Sequence, residues 1–228
     1  VAENASLETE GQSVTFVYVD GTEGWKNVQD STSNVTGAAF ICASVSGACN
    51  TLSTAPDCAN AKIATFTGPG TFTVNSVGSC ATNNLVSYLI VAGGSGGGFD
   101  RGGGGGAGGF REVKNPITPY TASPLDGYAT PANRVTVSVQ GYGIVVGGGS
   151  PAGTGPSRPP NGGVSSFGGI TAAGGGGAGS PGATSGNPGG SGGGARDIAA
   201  SGGNGNDPST SPAQGQNGGS STGNQSGP

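Results

Sequence analysis

Few residues of this chain have the types that catalysis requires. The 228 residues include no histidine, so Ser–His and Cys–His pairs are unavailable. A Gly93-Gly94-Ser95-Gly96 run follows a predicted strand, as a nucleophile elbow or phosphate loop would, but glycines follow it instead of a helix. Asp100, Glu112 and Asp126 are carboxylates that glycoside hydrolysis would need, yet nothing in their spacing aligns them. We therefore predict no catalytic residue, no cofactor and no enzymatic activity.

Four cysteines are the remaining reactive side chains: Cys42, Cys49, Cys58 and Cys80. One interpretation is a pair of disulfides, Cys42–Cys49 and Cys58–Cys80, and the alternative is free buried thiols. Zinc is disfavoured because the paired C-x2–4-C spacing is missing and no histidine is present. We predict no metal site.

Composition excludes several classes of protein. Only 32% of residues are hydrophobic and 9% are charged, and the net charge of −4 comes without a basic cluster. Nucleic-acid binding is therefore not expected. No apolar run approaches the roughly 20 residues of a membrane helix, so membrane insertion is not expected. The N-terminus lacks a signal-peptide pattern and the chain lacks methionine, so we expect a processed form or a fragment.

The N-terminal part predicts small β modules. Residues 1–35 are interpreted as a β-hairpin attachment module, with strands at 13–19 and 25–29 around an Asp20-Gly21 turn. Trp25 is expected to pack against a hairpin aromatic, with a sugar-stacking role as the alternative. Residues 36–60 are interpreted as a cysteine-containing connection.

Residues 61–92 predict a small antiparallel sheet. Its strands are expected at 62–67, 71–77 and 85–91, with Gly68-Pro69-Gly70 as a turn. Two later strands, 135–139 and 144–146, are expected to pair with 85–91.

Residues 93–228 form a glycine-rich domain with that strand insertion near 135–146. This part holds 44 of the 52 glycines, against 8 in residues 1–92. Glycine supplies almost no apolar area, so the domain is either disordered or ordered by backbone hydrogen bonds. We favour a bundle of extended polyproline II-type helices. The predicted fold class is thus mostly β with no substantial helix, followed by a glycine-rich bundle.

Exposed side chains beside the glycine runs are the best binding candidates, because little core exists to cover them. The candidate binding residues are Phe99, Tyr120, Leu125, Tyr128 and Arg158. The candidate loops are 112–134, which is rich in proline, and 150–161. The alternative is that the aromatic rings clamp the 112–134 loop onto the bundle.

Several segments resemble known proteins. The run SVTFVYVDGTEGWKNVQ (13–29) resembles a hairpin of phage tail-fibre proteins. The runs ATFTGPGTFTV (64–74), VSYLIVAGGSGGG (86–98) and RGGGGGAGGFRE (101–112) resemble the glycine-rich domain of phage tail-fibre and fibre-tip adhesins, with similarity to marine and cyanobacterial phage versions in later segments.

That resemblance implies a virion protein, located in a tail fibre or outer appendage and therefore extracellular. It implies a homotrimer with polyglycine II-type helices, whose partners are other virion tail or fibre proteins and a host cell-surface glycan or outer-membrane protein. The expected function is attachment to host cells through exposed loops. The alternatives are a purely structural fibre and a polysaccharide-degrading enzyme.

Overall fold

The computed structural model describes residues 14–19, 21, 25–30, 40–56, 58–78, 81–197 and 199–222. The chain divides into two compact units, Val1–Ala39 and Phe40–Pro228.

The first unit contains the predicted hairpin. Strand β1 (Val14–Tyr18) pairs antiparallel with β2 (Trp25–Asp30), and the register shifts between Thr15 and Phe16. Gly21 lies in the turn, where absence of a Cβ suits a tight reversal. The expected packing of the Trp25 ring falls outside the described side chains.

The second unit is built from short strands. They are β3 (Cys42–Ser46), β4 (Thr51–Ala55), β5 (Cys58–Thr65), β6 (Gly70–Ser76), β7 (Leu85–Val86), β8 (Tyr88–Val91), β9 (Phe110–Val113), β10 (Val135–Thr136), β11 (Gly141–Ile144), β12 (Ser165–Phe167) and β13 (Ile170–Ala172). Among the described residues, helix is limited to two 3-10 turns, Ala81–Asn84 and Pro131–Asn133. The prediction of a mostly β chain without substantial helix is confirmed for this part of the chain.

Every ladder between these strands is antiparallel. One sheet has three strands in the order β11-β6-β3, and the other sheets are the pairs β4-β5, β7-β10, β8-β9 and β12-β13. Small separate ladders of this kind cannot stand alone in water, so their stability depends on packing against the rest of the unit.

The strand pairing differs from the prediction around residues 40–76. The segment expected to be a connection contains β3 and β4, and β5 pairs with β4 while β6 pairs with β3. The Asn50 side chain explains the difference. It accepts hydrogen bonds from the N–H groups of Thr67 (3.1 Å) and Gly68 (3.3 Å) and donates to Ser46 O (3.0 Å) and Pro69 O (3.3 Å). The two turns are thereby joined, so Gly68–Gly70 does not close a hairpin between β5 and β6.

The predicted strand at 85–91 is interrupted at Ser87. Its first part, β7, pairs with β10, which confirms the expected contact with Val135. Its second part, β8, pairs with β9. The segment around Ile144 was expected to join the same strand, and this was wrong, because Ile144 lies opposite Gly70 of β6.

The hydrophobic core lies between these sheets. Val74 and Val113 are 1% and 0% exposed, and Tyr88, Ile90, Val135 and Val137 are also buried. The Phe167 ring meets three other rings edge-on, with centroids 6.0 Å from Phe72, 6.2 Å from Tyr88 and 6.0 Å from Tyr142. Such edge-to-face pairs add to the area that burial removes from water.

Tyr88 makes the stability of this core sensitive to pH in the alkaline range. Its hydroxyl donates to the Asn133 carbonyl oxygen at 2.7 Å, and burial raises its pKa to about 12, from an ordinary value of 10. The folded state therefore favours the neutral phenol, so this stabilisation is complete below pH 10 and is lost as pH rises towards 12. We expect the urea midpoint to fall more steeply between pH 10 and 12 in the wild type than in Tyr88→Phe. At neutral pH the variant should lose about 1 kcal/mol with the hydrogen bond. Equal alkaline slopes would show that Tyr88 does not control this pH dependence.

The glycine tracts are extended segments that lie outside the strands, except that one begins at the last residue of β13. We use this name for residues 92–98, 103–109, 147–153, 161–163, 172–180, 186–190, 191–196, 200–205 and 214–221. They run back and forth, and they pair through backbone hydrogen bonds that link one tract to several others.

Hydrogen bonds between tracts recur every third residue. The N–H groups at 103, 106 and 109 donate to the carbonyl oxygens at 179, 176 and 173, at 3.2, 2.9 and 2.7 Å. Donor numbers rise as acceptor numbers fall, so these two tracts are antiparallel. The N–H groups at 176 and 179 donate to the carbonyls at 191 and 194, both at 2.9 Å, which defines a parallel pair. Each tract thus turns the same face to a given neighbour again after three residues.

Tract 172–180 lies at the centre, and all nine of its residues are buried. It pairs with tracts on several sides, including 103–109, 186–190 and 191–196. A Cβ atom added at Gly174 would overlap the carbonyl oxygen of Gly162, and one at Gly175 would overlap that of Gly106. The missing side chains therefore permit the close approach that satisfies the buried backbone groups.

Candidate binding surfaces at the two ends of the glycine tracts

The tracts place exposed loops at two opposite ends. Strands β8, β9 and β13 join tracts 92–98, 103–109 and 172–180 at one end, which we call the sheet end. At the other end the chain reverses at 99–102, 151–160, 180–186 and 196–201, and we call these segments the distal loops. The five predicted site residues divide between the two ends.

Three predicted residues lie at the sheet end, in the 112–134 loop. Leu125 is 41% exposed and Tyr120 is 40% exposed. Tyr128 is half-buried, and the Arg134 guanidinium stacks over its ring at 4.3 Å from the centroid. Tyr128 therefore helps to hold the loop, as the clamping alternative predicted for the aromatic rings.

A buried carboxylate and a half-buried one anchor the same loop. Glu112 is 5% exposed and its Oε2 accepts the Ser123 N–H at 3.0 Å. Asp126 Oδ1 accepts the N–H groups of Lys114 (3.0 Å) and Tyr128 (2.9 Å). The pKa of Tyr120 is raised to about 12, mainly by burial of the phenol and next by the negative charge of Glu112. Glu112 and Asp126 thus hold the 112–134 loop in its conformation through these hydrogen bonds to its backbone.

Phe99 lies at the distal end, at the tip of the first reversal, and is 43% exposed. Its N–H donates to Ser180 Oγ at 3.2 Å, which joins the first reversal to the third. The next residues, Asp100 and Arg101, have φ values of 42° and 54°. Left-handed backbone at two non-glycine residues costs roughly 1–2 kcal/mol each, so the surrounding contacts must hold this tip in place.

Arg196 supplies those contacts. Its Nε donates to the Asp100 carbonyl oxygen at 3.0 Å, and its guanidinium forms ion pairs with the carboxylates of Asp100 and Asp197. Its backbone N–H donates to Thr184 O at 2.8 Å. Only 10% of its side chain is exposed. Through these contacts, Arg196 holds three of the distal loops together. Sequence reasoning missed this residue, whose only signal was an arginine isolated among glycines.

Arg158 also lies in the distal loops, where it is half-buried. It donates to the Ala183 carbonyl from Nε at 3.3 Å and to Asn187 Oδ1 from Nη1. Together with Pro156, Ser157 and Gly182, these residues line an open depression of about 490 Å³. The structure thus brings Arg158 to the same end as Phe99, and separates both from Tyr120, Leu125 and Tyr128.

Cys42 and Cys49 are free thiols, and both are exposed. The predicted Cys42–Cys49 disulfide is therefore absent, as is the predicted burial of free thiols at these two positions. Strand β3 separates the two residues. The predicted Cys58–Cys80 pairing is not tested, because residue 80 lies outside the described residues.

The described part of the chain contains no cluster of three metal-ligating side chains. Within the same residues, no helix has the length and apolar character needed to cross a membrane.

Strands and hydrogen-bonded glycine tracts together define a glycine-rich, mostly β chain with loops displayed at both ends of the tracts. A family model described as a glycine-rich domain matches residues 65–228. The chain therefore belongs to the glycine-rich domain family. No curated protein and no solved structure matches the chain.

Proposed function

We propose that this chain is an attachment module of a virion tail fibre or fibre tip, in which the distal loops contact a receptor on the host cell. The observation that carries the proposal is the fixed arrangement of the distal loops. Arg196, Ser180 and Ala183 tie together four chain reversals that are distant in sequence. A rigid scaffold that positions exposed loops is a common design for binding sites.

The glycine tracts serve as the scaffold, and we propose that they form a bundle of polyglycine II-type helices. The three-residue recurrence of the hydrogen bonds supports this, because such helices have three residues per turn and no internal hydrogen bonds. At a rise of about 3.1 Å per residue, tract 172–180 would be about 25 Å long. The bundle would hold the distal loops clear of the sheets.

Resemblance of the segments 13–29, 64–74 and 86–112 to phage tail-fibre proteins supports a virion location. In this proposal the partners are other fibre proteins and a host glycan or outer-membrane protein, and the role is binding without catalysis. Several copies acting together would raise weak single contacts to useful avidity.

Exposed apolar side chains on the β4-β5 pair support self-association, and we propose that the oligomer is a homotrimer. All of β4 except Ala55 is exposed, and Leu52 and Ile63 of the β4-β5 pair are 39% and 46% exposed. An isolated two-stranded ladder with uncovered apolar side chains is marginal in water. Light scattering should give a mass three times the 21.4 kDa of one chain. A monomer at micromolar concentration would exclude the trimer.

Binding of the labelled oligomer to candidate bacterial hosts tests the proposed function and locates the surface. We expect saturable binding to some strains, lost in Phe99→Ser and retained in Leu125→Ser. These two variants are matched, since each removes an apolar side chain of similar exposure (43% and 41%) from opposite ends of the tracts.

Loss of binding in Leu125→Ser alone would place the receptor surface at the sheet end. Absence of binding by verified folded oligomer to every strain tested would favour the alternative, a structural fibre component. Turnover of host polysaccharide by the wild type would contradict the binding-only role.

A further inference from the structure

The geometry points to an oxyanion-binding site at Arg158, which would take a sugar unit bearing a carboxylate, sulfate or phosphate group. This inference deepens the proposed attachment role and rests on it for its biological meaning. The site is the depression lined by Pro156, Ser157, Arg158, Gly182, Ala183 and Asn187.

Arg158 differs from its arginine neighbours at the distal end in its charge environment. Arg101 and Arg196 each pair with Asp100. Within the described residues, Arg158 has no carboxylate partner, and no acidic side chain lines the depression. A half-buried guanidinium that meets only neutral acceptors has lost part of its hydration, and no opposite charge offsets that loss. An anion entering the depression would supply that compensation.

The hydrogen bonds of Arg158 leave donors available for such a ligand. A guanidinium has five N–H donors, and in the described structure two of them are used, one on Ala183 O and one on Asn187 Oδ1. Both acceptors are neutral. Three donors remain, which include both hydrogens of Nη2, and a planar guanidinium edge suits bidentate contact with an oxyanion.

Neighbouring amides hold Arg158 in this orientation. Asn187 Nδ2 donates to Asn161 Oδ1 at 3.1 Å, and Asn161 Nδ2 donates to the Pro188 carbonyl at 2.8 Å. Asn161 Oδ1 also accepts the N–H of Gly177, at 2.9 Å, so the chain of contacts reaches the central tract. A preorganised guanidinium loses little conformational freedom when a ligand binds.

The remaining lining fits a sugar ring better than a free inorganic ion. Pro156 contributes an exposed apolar surface and Ser157 an exposed hydroxyl group. The volume of about 490 Å³ lies within the roughly 300–1,000 Å³ typical of small-molecule sites. Since the chain carries a net charge of −4, acidic sugars would be repelled elsewhere and selected locally by Arg158.

Titration of the full chain with small sugars, followed by NMR at low ionic strength, tests the inference. Low salt is needed because exposed charge contacts are screened. The probes are glucuronate, glucose 6-sulfate and glucose 6-phosphate, with glucose as the neutral control and sodium sulfate as the ion control. We expect at least one acidic sugar to bind about tenfold more tightly than glucose and than inorganic sulfate. The preferred probe identifies the carboxylate, sulfate or phosphate as the natural group.

Three variants separate the guanidinium from general charge effects. Arg158→Gln should weaken binding of the acidic sugar about tenfold, and Arg101→Gln, the matched loss of a distal arginine, should leave it within twofold. Ser157→Tyr should block the depression while Arg158 keeps its anchors, so binding should fall even if Arg158→Gln disturbs the loop. Equal binding of glucose and glucuronate, or equal losses in Arg101→Gln and Arg158→Gln, would overturn the inference.

Cell binding separates this inference from the proposed function. If the wild type binds host cells but no acidic sugar, the Arg158 site is wrong and attachment through other distal groups stands. If acidic sugars bind as expected but cells do not, the site is real and the attachment role fails.

Discussion

Gly174→Ala should lower the free energy of unfolding by about 3 kcal/mol or more, because the new methyl group has no space. Gly174 lies in the buried central tract, and an added Cβ would overlap the carbonyl oxygen of Gly162. Tracts 161–163 and 172–180 would have to separate, and the N–H of Gly162 would lose its 2.9 Å bond to Gly175 O or stretch it. For a chain of this length, the melting temperature should fall by about 6–12 °C.

Gly148→Ala is the matched control. Gly148 also belongs to a glycine tract, but it is exposed, its φ is not positive, and nothing lies within 4 Å of an added Cβ. Alanine there should change stability by less than about 1 kcal/mol, with a small gain from the reduced freedom of the unfolded chain. Calorimetry should measure the melting temperatures of both variants and of the wild type. Equal and small effects would mean that the tracts are not closely packed in solution.

Alternation in the sequence was sufficient to find strands whose two faces differ. In β8, Tyr88 and Ile90 are buried while Leu89 and Val91 are exposed, as a period of two requires. The first hairpin could be predicted equally well, because β-branched residues flank a recognisable Asp20-Gly21 turn. In both cases the information is local.

Strands β3 and β4 were missed because their sequences, CASVS and TLSTA, contain few large apolar residues. Their pairing depends on Asn50, which joins two turns separated by 17 to 19 residues. Propensity describes single segments, whereas partner choice depends on contacts that form only in the folded chain. The sequence therefore predicted strand content better than strand order.

The division of the candidate site residues between the two ends also depends on contacts that form only in the folded chain. Exposure of Phe99, Tyr120 and Leu125 was predictable, because glycine tracts cannot cover large side chains. Their placement was not, since it follows from how many times the tracts reverse. The Arg196–Asp100 contact spans 96 residues and the Gln214–Ala173 contact spans 41. Such pairs cannot be inferred from spacing in a glycine-rich sequence.

Gln214→Ala should cause the second large loss of stability, because one buried side chain satisfies the buried N–H of Ala173 and also bonds the Pro208 carbonyl. Gln214 is 2% exposed. Its Oε1 accepts the Ala173 N–H at 2.8 Å, and its Nε2 donates to the Pro208 carbonyl at 2.7 Å. Truncation leaves the buried Ala173 N–H unpaired, at roughly 1–3 kcal/mol, and also removes the hydrogen bond to Pro208 O, which is worth about 1 kcal/mol. We expect a loss of about 3 kcal/mol in urea unfolding, and faster amide hydrogen exchange at Ala173.

Gln214→Met and Gln216→Ala distinguish the lost hydrogen bonds from other effects. Methionine keeps most of the volume of Gln214, so a loss close to that of the alanine variant would assign the cost to the lost hydrogen bonds rather than to a cavity. Gln216 is exposed two residues away, and its truncation should change stability by less than about 0.5 kcal/mol. If Gln214→Met is as stable as the wild type, the side-chain amide is not what fixes residue 173 and the 206–213 turn at the sheet end. In the wild type, the Ala173 amide should exchange more slowly than the exposed amides of the tracts. Loss of this protection in both Gln214 variants would show that the Gln214 side chain protects the Ala173 N–H.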